Sequence, residues 1–147
     1  MRYRLFDHTS DIKVEIYGRD LSELFANAAY CIGDLMLDID KVETVEERKL
    51  EITSPDLPEL FLDWLRELLF LFSTHGFAVR RARVRIGHPQ PASAEGQDAD
   101  RLTALLRGQP YDPARHGLKI EVKTPTYHEY KLERLGDTWR ATLILDV

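Results

Sequence analysis

Carboxylates stand near both ends of this sequence, and clustered carboxylates can bind hard cations. The opening segment LFDHTSDIKVEIYG contains Asp7 and Asp11, and the closing residues LILDV contain Asp146 and end at Val147. A strand running to the end of the sequence would bring the Asp146 side chain close to the terminal carboxylate, and the two ends of a small domain often lie close together. Clustered carboxylates repel one another unless a cation neutralises them, and an all-oxygen shell suits calcium or magnesium.

The alternative is that these carboxylates are purely structural. Asp7 and Asp11 could make turn and cap hydrogen bonds, while Asp146 only keeps the end of the chain soluble. His8, between the two aspartates, is predicted to form a structural hydrogen bond rather than to act as a ligand, because a transition-metal site would want more His or Cys. The residues alone leave both hypotheses open.

Composition and charge narrow the class of protein. The chain has 147 residues, 44% of them apolar, which predicts a single domain over 1–147 with a sizeable core. Its net charge of −5 argues against tight binding of RNA or DNA by the domain alone, and favours a protein partner, a small ligand or a cation. No apolar run is long enough to span a membrane, and the single cysteine excludes an internal disulfide framework, so we expect a cytoplasmic protein.

Two helices are predicted from capping residues and apolar periodicity. Asp20 is an N-cap with Glu23 three residues later, followed by apolar residues on one face of a helix that also contains Cys31, which we expect to be a buried structural thiol. The second helix, Leu57 to Thr74, begins after a capping aspartate and ends at Gly76. Its broad apolar stripe predicts the central buried helix of the domain.

The remaining apolar patterns favour strands joined by turns. After the opening strand, extended structure is predicted around 42–52, 79–86 and 102–106, and in three later segments, Leu118 to Lys123, Tyr127 to Arg134 and Trp139 to Asp146. The polar stretch 88–100 predicts a flexible loop. Two helices serving many strands indicate an α+β fold, a two-layer sandwich with a largely antiparallel sheet and both helices on one side.

One predicted strand carries a row of arginines. Arg81, Arg83 and Arg85 alternate with apolar residues in FAVRRARVRIG, so all three should face outward. Such a row could meet phosphate groups. We favour the simpler interpretation, a solvated or salt-bridged sheet face.

Motifs at both ends of the chain resemble the archease family. The front segment DHTSDIKVEIYGRDLSELFANAA is similar to the family's opening D-H-T-[AS]-D-[IV] followed by G-x-x-L-x-E-L-F. The back segments KTPTYHEY and LILDV are similar to its V-K-x-x-T-Y-H segment and terminal I-x-D-[IV]. The resemblance covers essentially the whole chain. One departure is Pro125, which replaces a small aliphatic residue and removes a strand donor, so we expect altered pairing near Lys123.

The resemblance implies a function. Archeases assist the GTP-dependent RNA ligase of tRNA splicing and RNA repair, which joins a 2′,3′-cyclic-phosphate or 3′-phosphate end to a 5′-hydroxyl. They promote guanylylation of the ligase and permit multiple turnover, as chaperone-like cofactors that are not enzymes. This chain would therefore contact RNA only indirectly, through its ligase partner. A small metal-dependent hydrolase that uses the same carboxylates with a histidine base is the alternative hypothesis.

The resemblance also implies a metal site. Carried over by position, its ligands are Asp11, Asp146 and Val147, and the ion is a divalent cation, calcium first, with magnesium or manganese as alternatives. Asp7 and His8 then support the site or contact the partner. Two further residues match the family's V-K-x-x-T-Y-H segment and are candidates for the same supporting or partner-contacting role: Lys123 and His128. On spacing alone, Lys123 is a solvated strand lysine.

Overall fold

The computed structural model describes residues 1–6, 10–87 and 100–147. Within these ranges the chain forms eight strands, three α-helices and one short 3-10 helix at Ile39–Lys41. The strands are β1 Tyr3–Phe6, β2 Asp11–Gly18, β3 Glu46–Ser54, β4 Phe77–Gly87, β5 Asp100–Pro110, β6 Thr124–Pro125, β7 Lys131–Leu135 and β8 Thr138–Asp146. The α-helices are α1 Leu21–Met36, α2 Leu57–His75 and α3 Pro113–His116.

The strands form two antiparallel sheets that share the helices. The first sheet has the order β1-β2-β8-β6, with β7 also paired to β8, and the second has the order β3-β5-β4. Helix α1 contacts strands of both sheets, β2 and β4, and helix α2 contacts β3 to β5 of one sheet and β6 of the other. The predicted α+β fold with antiparallel pairing is confirmed, but the strands divide between two sheets rather than one.

Both long helices begin where their capping residues predict, and α2 is followed by the predicted Gly76. The Asp20 carboxylate accepts a hydrogen bond from the Glu23 N–H at 2.8 Å, and the Asp56 carboxylate accepts one from the Glu59 N–H at 2.9 Å. At the end of α2, Gly76 adopts a left-handed conformation with φ of 60°, which a residue without a Cβ tolerates best. These are short-range interactions, so they can be recognised in the sequence.

The core is built around the aromatic residues of α1 and α2. Phe25 and Phe61 meet edge to face with ring centroids 5.0 Å apart, and Trp64 donates its indole N–H to the Phe25 carbonyl at 2.9 Å. All three side chains are fully buried, and Leu68 is 5% exposed. Cys31 is buried as predicted, and burial raises the pKa of its thiol. Helix α2 is therefore the central buried helix.

Three strand predictions need correction. The opening strand is preceded by another strand, β1, that the pattern did not reveal. Residues 118–123 form no strand, and only Thr124–Pro125 pairs with β8 in this part of the chain. The segment predicted to begin at Tyr127 starts its strand at Lys131, because the preceding residues form a turn. The last strand is confirmed as β8.

The predicted loop over 88–100 lies outside the described residues except for Asp100, which begins β5. No helix in the described ranges combines the length and apolar character needed to cross a bilayer.

Candidate carboxylate site

Strand pairing brings two of the predicted site residues together. In the antiparallel pair formed by β2 and β8, Asp11 lies directly opposite Asp146. Directly opposite residues project from the same face of a sheet, with Cβ atoms about 4.5–5.5 Å apart. On the other side of β8, Asp146 lies opposite Thr124 of β6. Two carboxylates and a threonine therefore form one row across three strands.

The alternation of residues in β2 determines which face the carboxylates occupy. Val14 and Ile16 are fully buried on the core face, whereas Asp11 and Lys13 project from the opposite face. A shift of one residue in the register would move the apolar set out of the core, so burial holds the register in place. Core packing thus keeps Asp11 level with Asp146.

The two carboxylates differ in exposure. Asp146 is exposed at the end of β8, and Asp11 is half-buried, with its Oδ1 atom fully buried. Lys13 follows two residues after Asp11 on the same face and is half-buried opposite Ile144. The site thus combines two acids with a nearby cation at one end of the sheet.

The backbone around Pro125 joins the predicted Lys123 to this site. The Lys123 N–H donates to the Asp146 carbonyl at 2.8 Å, and the Thr126 N–H donates to the Ile144 carbonyl at 3.0 Å. These two donors flank Pro125, so the missing proline N–H does not interrupt the attachment to β8. The expected alteration of pairing appears as a two-residue strand, and the Lys123 side chain is exposed.

His128 lies in a turn that is attached to the start of helix α2. The Tyr127 hydroxyl lies 2.7 and 3.0 Å from the two carboxylate oxygens of Glu59, and the Tyr130 hydroxyl donates to the Pro58 carbonyl at 2.7 Å. Burial raises the pKa of the Tyr130 phenol, so this side chain stays a hydrogen-bond donor. His128 itself is exposed, with its Nε2 atom 4.0 Å from a Glu129 carboxylate oxygen.

The remaining predicted site residues have different outcomes. Asp7 and His8 lie outside the described residues. Val147 is half-buried and packs against the core directly after Asp146. Among the described residues, no group of three His, Cys, Asp or Glu side chains is arranged to hold a metal ion. A backbone terminal carboxylate is not one of those side chains, so the metal site stays a prediction.

Sequence analysis missed a buried histidine in α3 and a threonine opposite Asp146. His116 is fully buried, where its Nδ1 atom accepts the Asp112 N–H at 3.0 Å and its Nε2 atom lies 2.8 Å from the Gln109 Oε1 atom. Burial lowers the pKa of this imidazole. Thr124 was also missed, since only its pairing with Asp146 marks it. No motif in the sequence signalled either residue.

Comparison with known proteins defines the class. The model of the Archease protein family (MTH1598/TM1083) matches residues 3–147. The chain belongs to the archease family. Protein archease of Methanosarcina acetivorans is 35% identical over 146 residues, covering 99% of this chain and 96% of that protein. Protein archease of Pyrococcus abyssi is 34% identical over 147 residues, with 99% of each chain covered.

Solved structures share the fold. The solution structure of Methanobacterium thermoautotrophicum protein 1598 superimposes with a TM-score of 0.80 at 32% identity, covering 99% of both chains. The crystal structure of a Thermotoga maritima archease, named there a "possible chaperone", has a TM-score of 0.58 at 22% identity, covering 97% of this chain and 94% of that one. At that identity the second similarity concerns the fold alone.

Proposed function

We propose that this chain is a protein activator of the GTP-dependent RNA ligase of tRNA splicing and RNA repair, promoting ligase guanylylation and multiple turnover. Membership of the archease family over residues 3–147 is the observation that carries the proposal.

The carboxylate row supports a site that acts on a partner. Asp146 and Lys123 are both exposed at the same end of the first sheet, joined by the hydrogen bond from the Lys123 N–H to the Asp146 carbonyl. A large protein can reach exposed groups at the end of a sheet, and opposite charges placed side by side favour one orientation of that partner. This arrangement suits recognition of a protein surface.

The same residues fit the implied metal. With Val147 as the last residue, its carboxylate would join Asp11 and Asp146 in an all-oxygen donor set, which suits calcium and also magnesium or manganese. A cation bound there would supply positive charge for an oxygen ligand of the partner. The contribution of this chain is to hold the two acids level across β2 and β8.

Ligase turnover tests the proposal. The assay contains limiting ligase, GTP and an RNA with a cyclic-phosphate end, and measures guanylylated ligase and joined RNA with and without this protein. The intact protein should increase both, and Asp11→Ala and Asp146→Ala should remove the stimulation while remaining folded. Unchanged turnover with the intact protein would show that the proposed function is wrong.

A matched control separates the site from general charge effects. Asp137 is an exposed aspartate in the turn that precedes β8, at the opposite end of the hairpin from Asp146. Asp137→Ala changes the net charge equally and should stimulate like the intact protein.

A second assay tests the hydrolase hypothesis. The purified protein alone should not hydrolyse generic phosphoesters. Metal-dependent hydrolysis that Asp11→Ala abolishes would favour the hydrolase hypothesis instead.

A further inference from the structure

The charges of this acidic protein are unevenly distributed. The net charge is −5, yet the outer face of the β3-β5-β4 sheet carries the exposed side chains of Arg81, Arg83 and Arg85 in a single file along β4. The negative net charge of the whole chain therefore coexists with a basic surface on this sheet. We call the basic outward residues of this sheet the arginine face, defined by these three arginines together with Lys49 and Arg107. Two acids of β3, Glu47 and Glu51, project from the same side of the sheet.

Cross-strand pairing extends the arginine face over the sheet. Arg81 lies directly opposite Arg107 of β5, and Leu105 lies between Arg83 on one side and Lys49 on the other. Basic side chains thus project from all three strands. Directly opposite like charges are destabilising, so a row of this kind favours an anion that neutralises it.

Ion pairs neutralise the margins of this face but not its centre. Arg107 is paired with Glu47 at 2.8 Å, and the pair formed by Arg101 and Glu51, at 3.0 Å, lies towards the other end of the sheet. Among the residues that the structure describes, no acidic side chain is within ion-pair distance of the three β4 arginines. Their guanidinium groups are therefore presented to solvent rather than to carboxylates of the described surface.

One end of the row opens into a cavity with more basic groups. Arg81 lines a cavity of about 350 Å³ together with Arg2, Tyr30 and Arg80, between α1 and the edge of β4. The Arg2 guanidinium lies 3.9 Å from the centre of the Tyr30 ring, and Arg80 is paired with Asp40 at 3.0 Å. An aromatic ring capped by a guanidinium is a surface on which a planar base can stack.

From this arrangement we propose that the arginine face and its adjoining cavity bind the phosphate backbone of single-stranded RNA. Arginines two residues apart along a strand repeat at about 6.5 Å, which gives a regular line of planar donors suited to successive phosphates. Edge strands do carry basic residues to prevent edge-to-edge pairing. Protection of an edge strand does not require basic side chains on the neighbouring strands β5 and β3. It also does not require the stacked pair of Arg2 and Tyr30.

The inference rests on the proposed function for the identity of the nucleic acid, since an activator of an RNA ligase works beside RNA.

The contact between the arginine face and RNA would be weak and sensitive to salt, because few phosphates are neutralised. Three phosphate contacts on a single strand predict that affinity falls about 20-fold between roughly 50 and 200 mM salt. The face would hold the RNA near the ligase without reading its sequence.

Fluorescence anisotropy with a short labelled single-stranded RNA tests the proposal directly, without the ligase. The variant Arg81→Gln/Arg83→Gln/Arg85→Gln should weaken binding at low salt by at least about tenfold, since most of the contacts are lost. The control Lys119→Gln/Lys131→Gln/Arg134→Gln removes the same charge at exposed residues outside the arginine face and should keep most of the affinity. Replacing the three arginines by lysine keeps the charge and should retain the salt dependence.

Each outcome decides the question. Binding that falls with salt and with the arginine variant, but not with the control, supports the proposal. Equal losses in both variants, or no binding at low salt by the folded intact protein, overturn it. Tighter binding of a polyglutamate peptide than of RNA also overturns it and assigns the face to an acidic protein. RNA binding without ligase stimulation would defeat only the proposed function, and stimulation without RNA binding would defeat only this inference.

Discussion

Asp11 and Asp146 lie directly opposite each other in the antiparallel pair of β2 and β8, so two carboxylates far apart in the sequence share one face of a sheet. Neighbouring carboxylates repel, and this pair is held in place by the buried residues that follow Asp11 in β2 and precede Asp146 in β8. Core packing thus maintains an acidic pair that electrostatics alone would separate.

The first prediction concerns the metal. If the terminal carboxylate of Val147 is a ligand beside Asp11 and Asp146, extra residues attached after Val147 should weaken calcium affinity, whereas residues attached before Met1 should leave it nearly unchanged. The oxygen ligands should lie about 2.3–2.6 Å from calcium. Titration calorimetry on the two extended proteins measures the difference. Equal affinities would exclude a terminal-carboxylate ligand.

A second prediction concerns Lys123. Its side chain is exposed, and its backbone N–H attaches the segment to β8 at the Asp146 carbonyl. Lys123→Ala keeps that N–H, so the fold should be stable to within about 0.5 kcal/mol and ligase stimulation should be lost. The turnover assay and a denaturant titration check both parts. Lys131→Ala, at another exposed lysine of the same sheet, is the control. Full stimulation by Lys123→Ala would show that Lys123 does not contact the partner.

The third prediction concerns the core. Leu68 is 5% exposed on α2, so Leu68→Ala should lower the free energy of unfolding by about 2–5 kcal/mol through lost burial and a residual cavity. Phe70, on the same helix, is 51% exposed and provides the comparison. Phe70→Ala should cost much less, despite removing a larger side chain. Chemical denaturation of both variants measures this, and a Leu68→Ala protein as stable as the intact one would contradict the buried placement.

The fourth prediction concerns pH and His116. Its Nδ1 atom accepts a backbone N–H, so the buried ring is neutral and burial lowers its pKa below the usual value of about 6.5. Between the unfolded pKa and the lower folded pKa, the unfolded chain binds a proton that the folded chain does not. The contribution of this residue to stability is therefore present above about pH 6.5 and is lost as the pH falls towards the folded pKa.

Denaturant titrations across this pH range check the sign. The intact protein should lose stability as the pH falls below about 6.5, and His116→Gln should remove that part of the pH dependence. His75→Gln, at the exposed last residue of α2, should leave it unchanged. Identical pH profiles for the intact protein and His116→Gln would show that His116 is not the group responsible.

Local interactions made the helices predictable. The capping pairs of Asp20 with Glu23 and of Asp56 with Glu59 join residues three positions apart, and Gly76 ends α2 through its own backbone conformation. The outward row of arginines in β4 was predictable for the same reason, since alternation along a strand is a property of the strand itself.

The sequence alone does not show which strands pair, because several strands can compete for the same partner. Strand β2 pairs along its whole length with one side of β8. Strands β7 and β6 share the other side of β8. Strand β7 takes residues 138–142 of β8 and β6 takes Leu145 and Asp146. The segment 118–123 has an alternating pattern but forms no strand, and the Lys119 N–H donates instead to the Met36 carbonyl at the end of α1.

The sequence by itself determined the residue types of the candidate site, the starts of the two long helices and the alternation within β2, β4 and β8, because each depends on neighbours within a few positions. Only the tertiary structure decided that Asp11 stands level with Asp146 and that Thr124 completes their row. It also decided that the basic residues of three strands gather on one face of an acidic protein. Those arrangements depend on register between distant segments, which is set by burying one face of each strand in a shared core.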